Sequence, residues 1–114
     1  MAVELLVYNL IMAEFRPVVK LSELKDGQVK GVRINGEEVA LYRLSDEVFA
    51  TSDICTHEQC VISENYYIDG EEVECTCHGS HFNIKTGENT VPPAAEPLKT
   101  YPTKVEDDDV LIEI

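Results

Sequence analysis

The chain has 114 residues, 44% of them hydrophobic, and carries 22 acidic against 9 basic side chains for a formal net charge of −13. That is enough chain for one modest core, too little for two, and too apolar for a disordered polymer. So acidic a surface repels nucleic acid and anionic membranes, and no segment reaches the roughly 18 apolar residues of a membrane span.

Met1 to Ile11 is apolar, but it lacks a basic leader region and carries Glu4, which makes a poor signal peptide. Residues 1–11 are read as an extension outside the fold or packed loosely on its edge. Residues 12–114 form one domain opening at Met12, and a cytoplasmic location is expected. Phe15 to Leu21 reads as a first strand, with Pro17 suggesting a sheet edge. Ser22 to Gly27 reads as one helical turn capped by Ser22 and stopped by Gly27. Gln28 to Ile34 alternates through Val29, Val32 and Ile34, Asn35-Gly36 is a hairpin signal, and Glu38 to Leu44 returns through Val39, Leu41 and Leu44. Ser45-Asp46-Glu47 leads into Val48-Phe49-Ala50, which completes an antiparallel meander.

The alternation stops at Asp53. Tyr66-Tyr67-Ile68 then precedes an Asp69-Gly70 turn, Glu71 to Glu74 climbs back, and His81 to Ile84 reads as a strand. Val91 to Pro97 holds too many prolines for a helix. Leu98 to Val105 and Val110 to Ile114 close the chain as a hairpin with an acidic tip at 106–109. The fold class is therefore all-β: antiparallel sheets form a base from about 12–50 and 98–114, holding an inserted part at about 51–97.

That inserted part holds the chemistry. Cys55-Thr56-His57 and Cys75-Thr76-Cys77-His78 each offer one thiolate and one imidazole, with residues 58–74 between them. Two thiolates and two imidazoles suit a two-iron, two-sulfur centre. Replacing two thiolates by neutral imidazoles makes the oxidised site less negative and easier to reduce. Gly79 lets backbone approach closely. The same donors also suit a structural zinc site, although zinc ribbons usually use Cys-x-x-Cys knuckles. No phosphate-binding glycine loop and no nucleophile signature is present.

These motifs, with Gly79, Ser80 and Phe82 after them, resemble the Rieske family over about residues 13–114. The resemblance implies a Rieske fold and one [2Fe-2S] cluster, with Cys55 and Cys75 on an inner iron and His57 and His78 on an outer one. It implies imidazoles that ligate through Nδ1 and show their far edge to solvent as the electron exit. It also implies that Val91 to Ala94 covers the cluster as a proline loop. Length and the Pro97 to Glu106 ending are similar to those of soluble ferredoxins of multicomponent aromatic-ring dioxygenases. Such proteins pass single electrons from a flavin-containing reductase to a terminal oxygenase and make no bonds on a substrate. A monomer is expected, because a shuttle presents the same tip to donor and acceptor.

Two departures stand out. Cys60 and Cys77 sit where the bc-complex type of Rieske protein places a disulfide between the loops, so a bridge is expected; two reduced thiols beside the cluster are the alternative. They also keep open a Rieske subunit of a larger nitrite- or arsenite-type redox enzyme. Ser80 stands where high-potential members put a hydroxyl that donates to a bridging sulfide, while Phe82 replaces a tyrosine that commonly helps. A potential between the extremes of roughly −150 to +300 mV is expected. His81 falls outside both ligand spacings and is expected to be an exposed or hydrogen-bonded neighbour. Glu58 and Gln59 are either partner contacts or a solvated loop tip, and Tyr66, Tyr67 and Phe49 are expected as core or edge packing.

Overall fold

In the computed structural model, which describes residues 14–114, strand β1 (Phe15–Lys20) pairs with the chain's last strand. The expectation for residues 1–11 lies outside the described residues. Pro17 has no N–H to give, and among the described residues β1 is an edge, in a three-stranded sheet whose middle strand is the chain's last. A register shift between Pro17 and Val19 absorbs the irregularity. The helical turn is shorter and earlier than its sequence suggests, a 3₁₀ turn over Leu21–Glu23 with Lys20 in the capping position. Ser22 does not cap it. Its N–H and hydroxyl bond instead to Asp108 in the distant final hairpin, at 3.0 and 2.8 Å.

Strand β2 (Val29–Ile34) turns through Asn35-Gly36 into β3 (Glu37–Leu44), which pairs with β4 (Glu47–Ser52). Asn35 and Gly36 both take positive φ, 51° and 80°, as a two-residue hairpin with the right twist requires. This sheet is buried on both faces, so β3 runs Val39-Ala40-Leu41-Tyr42 with every side chain inaccessible. Ala40, Tyr42 and Val29 face one core, whereas Val39, Leu41, Val48 and Ala50 face the other. The apparent alternation of Val29 with Val32 and Ile34, and of Leu41 with Leu44, therefore splits between two faces. Tyr42 is fully buried and its hydroxyl lies 2.7 Å from Thr51 Oγ1, which satisfies the one polar atom it brings into the core.

A third sheet is ordered β5-β6-β7-β8, from β5 (Tyr66–Asp69), β6 (Glu72–Cys75), β7 (Ser80–Asn83) and β8 (Asn89–Val91). Its inner face sends Val73, Cys75 and Phe82 into the core shared with Tyr42 and Ile62. The short β8 escapes sequence reading because its three residues carry no periodic signal. The expected last hairpin is also divided. Pro102 breaks the incoming strand into β9 (Thr100–Tyr101), paired with β4, and β10 (Thr103–Glu106), paired with β11 (Asp109–Glu113). One segment thus ties the first two sheets together.

At that junction Glu37 Oε1 accepts from the Tyr101 hydroxyl at 2.7 Å and from Lys99 Nζ at 3.0 Å. The Tyr101 hydroxyl, then Lys99, hold the Glu37 carboxyl below its ordinary value of 4.5. A carboxyl depressed in the folded state stabilises it fully above the ordinary value, and that contribution is lost as pH falls through the lower, folded value. Glu37→Gln is expected to lower the thermal midpoint at neutral pH, with the gap from the unsubstituted protein narrowing as pH drops below about 4.5. A gap that stays constant across an acid titration would contradict this assignment.

Candidate metal centre

The first ligand loop is closed at its base before any metal is considered. Ile54 and Val61 form an isolated bridge, Ile62 N–H donates to Asp53 O at 2.8 Å, and Cys55 N–H donates to Cys60 O at 2.9 Å. Asp53, 2% exposed, accepts from the Ser63 N–H and hydroxyl at 2.7 and 2.6 Å. Gly31 on β2 makes room for this lock. A Cβ there would stand 2.5 Å from Ser63 Oγ and 2.7 Å from Asp53 Oδ2.

The second loop joins β6 to β7. Gly79 closes it with an N–H to Cys75 O bond of 2.9 Å, at a φ of +84° that L side chains rarely adopt. Asn65 links the two loops, receiving Thr76 N–H at 3.0 Å on its carbonyl and donating its side-chain amide to Val61 O at 3.0 Å. The segment through Pro92-Pro93 closes a third side. Ala94 N–H donates to Ser80 Oγ at 2.9 Å, and Thr56 Oγ1 donates to Glu96 O at 2.7 Å.

The structure brings all four expected donors to this junction, in two tiers. Cys55 and Cys75 lie inside, 4% and 1% exposed. Burial pushes the Cys75 thiol up, a backbone N–H from Cys77 pulls it partly back, and the adjacent Cys55 pushes it up again. A thiolate at Cys75 therefore calls for a cation beside it, which is what binding a metal supplies. His57 and His78 lie outside, 29% and 47% exposed, with ring centroids 5.1 Å apart in an edge-to-face arrangement. Their Nε2 atoms are the ones that meet the Glu58 carboxylate, at 3.9 and 3.5 Å. That leaves Nδ1 of each ring for a metal beneath. Buried soft sulfur below and half-exposed imidazole above is a donor set that fits a mixed-ligand diiron cluster.

Cys60 and Cys77 form a disulfide between the two loops, with Cα atoms 6.7 Å apart. The Sγ atoms of Cys60, Cys75 and Cys77 all lie within 4.8 Å of one another. The bridge consumes two of these three as donors and leaves Cys75 to pair with Cys55. Ser80 is buried, and because its oxygen accepts from Ala94 its own proton remains free to donate. His81 is a hydrogen-bonded neighbour, its Nδ1 3.1 Å from Glu72 and its Nε2 3.3 Å from Glu74. Tyr66 and Phe49 pack against the core as expected, but Tyr67 does not: it is 61% exposed on the edge strand β5. The position of Glu58 over both histidine edges had no specific sequence signal beyond its being next to His57.

The disulfide closes a loop of sequence separation 17. Removing it as Cys60→Ser with Cys77→Ser is expected to cost about 3 kcal/mol of stability, by freeing the unfolded chain. Thermal unfolding of the paired variant checks this, and an unchanged midpoint would mean the bridge carries no stability.

Residues 14–102 match the family model for the Rieske [2Fe-2S] domain. The ferredoxin component of the naphthalene 1,2-dioxygenase system of Pseudomonas putida is 38% identical over 96 residues, covering 84% of this chain and 91% of that one. The ferredoxin of carbazole 1,9a-dioxygenase from Nocardioides aromaticivorans IC177 superposes with a TM-score of 0.83 at 27% identity, over 89% of this chain and 98% of that one. A chain in a complex of reduced oxygenase and oxidized ferredoxin in carbazole 1,9a-dioxygenase gives 0.80 at 32% identity, over 87% of this chain and 92% of that one. Sequence, fold and donor set agree: the chain belongs to the Rieske [2Fe-2S] domain family, and its cofactor is a Rieske-type cluster.

Proposed function

We propose that this protein is a ferredoxin that carries single electrons from a flavin-containing reductase to a terminal ring-hydroxylating oxygenase, with no bond-making chemistry of its own. The observation that carries the reading is the two-tier site, whose imidazole pair is the part of the donor set open to a partner. The relatives support it, being ferredoxin components of dioxygenase systems. The cluster, when bound, stores one electron at a time. The inserted part, about 51–97, supplies its ligands: Cys55 and Cys75 for the inner iron, His57 and His78 for the outer. The cysteines exclude water, the histidines conduct to the surface, and Ser80 has a proton to place on sulfur. The carrier works as a monomer in the cytoplasm, showing one tip to two partners in turn.

The disulfide would also suit a Rieske subunit of a larger redox enzyme. Against that, only two large apolar side chains are exposed among the described residues, Tyr67 and Val91, far short of the broad apolar face an obligate subunit buries.

Anaerobic reductive titration of the iron-loaded protein is expected to take up one electron per chain. Substituting Ser for Cys55 or Cys75 is expected to abolish iron and acid-labile sulfide retention. Full iron content in either cysteine variant would reject the ligand assignment, and uptake of no electron would reject the function.

Glu58 places a negative charge against both imidazole edges. A reduced cluster carries one more negative charge, so the carboxylate opposes reduction. Glu58→Gln is expected to raise the midpoint potential, and by less at high salt, where the exposed charge is screened. A potential that falls or stays put in voltammetry would contradict this.

A further inference from the structure

Beyond the histidine edge, the third sheet presents an outer face that leaves Tyr67 and Val91 exposed among the described residues. Its register aligns Tyr67, Glu74, His81 and Val91 in one row across β5, β6, β7 and β8. The next row toward the cluster is Tyr66, Cys75 and Ser80, so the exposed row lies one residue from a ligand. Tyr67 and Val91, 61% and 38% exposed, are the two large apolar side chains open to solvent among the described residues. Both fall in this single row, at its two ends, roughly 14 Å apart by strand spacing. Val91 also begins the Pro92-Pro93 segment that borders the site.

The surroundings are acidic. Asp69, Glu71, Glu72 and Glu74 lie on the β5–β6 hairpin. The basic groups nearby are already engaged: Lys85 Nζ is 2.8 Å from Glu71, and His81 sits between Glu72 and Glu74. We infer that this face is a docking surface for a redox-partner protein whose own face carries two apolar contacts with Lys or Arg between and beside them. Tyr67 and Val91 anchor the partner at the two edges of the sheet, and Glu74 with the hairpin carboxylates selects the cations. The row lies one residue along β6 and β7 from Cys75 and Ser80, so a partner seated on it reaches the cluster-binding end of the sheet. This inference rests on the electron-carrier reading.

The test uses the iron-loaded protein and, as acceptor, the purified oxygenase of the naphthalene 1,2-dioxygenase system. Tyr67→Ser is a surface change on β5, so the visible spectrum, thermal midpoint and midpoint potential should hold; Val91→Ser lies beside the proline segment, so its transfer rate is compared at its own measured spectrum and midpoint potential. The second-order rate constant for reoxidation of the reduced carrier is expected to fall about fivefold in each variant, and further in the double variant. It should also fall with added salt in the unsubstituted protein. A double variant that transfers at the unsubstituted rate overturns the docking surface and leaves the carrier reading standing. An unsubstituted protein that fails to reduce the oxygenase at any salt concentration removes the carrier reading, and the docking surface with it.

Discussion

Two thiols buried side by side are the constraint from which the rest follows. Cys55 and Cys75 lie almost wholly out of water, and burial disfavours the ionised form of Cys75. Iron bound there would supply the compensating charge and make the pair the floor of a cluster. The surrounding structure converges on this floor from three directions. The Asp53–Ser63 lock anchors one loop, the Gly79 turn shapes the second, and the Ala94–Ser80 bond draws in the proline segment. The Cys60–Cys77 bridge and Asn65 then fasten loop to loop. None of these contacts uses a ligand side chain, so the ligands stay free for metal.

The asymmetry between buried sulfur and half-exposed nitrogen gives the site a direction. On the electron-carrier reading, charge enters and leaves where the imidazoles meet solvent, and the same end carries Glu58. A carboxylate there does two opposing things. It resists the arrival of an electron, and it attracts a cationic partner. The chain's formal charge of −13 extends the second effect over long distances, speeding encounter with basic partners in a salt-dependent way. On this physical picture, the tip sets the potential, and the tip together with the outer face of the third sheet sets the choice of partner.

Much of this was legible in the sequence because ligand chemistry is local. Cys-x-His and Cys-x-x-His name their donors without any knowledge of the fold, and Asn35-Gly36 names its turn by backbone sterics alone. What sequence reading missed depends on distant pairing. Ser22 carries a cap's chemistry but spends it on Asp108, which no local pattern can show. Pro102 divides one apparent strand between two sheets, because the segment has a different neighbour on either side of it. Val29 and Val32, three apart, point to opposite faces, and both are apolar because the sheet is covered on both sides. Gly31 carries no signal of its own in the sequence, and its use appears only when Asp53 and Ser63 arrive beside it.

The central claim is that one iron is held by two imidazole nitrogens and the other by two cysteine sulfurs. Electron-nuclear double resonance on the reduced protein, grown with ¹⁵N-labelled histidine, tests it directly. Two distinct, strongly coupled histidine nitrogens are the result required by His57 and His78 as ligands. A reduced cluster with no strongly coupled histidine nitrogen, or with one alone, contradicts it.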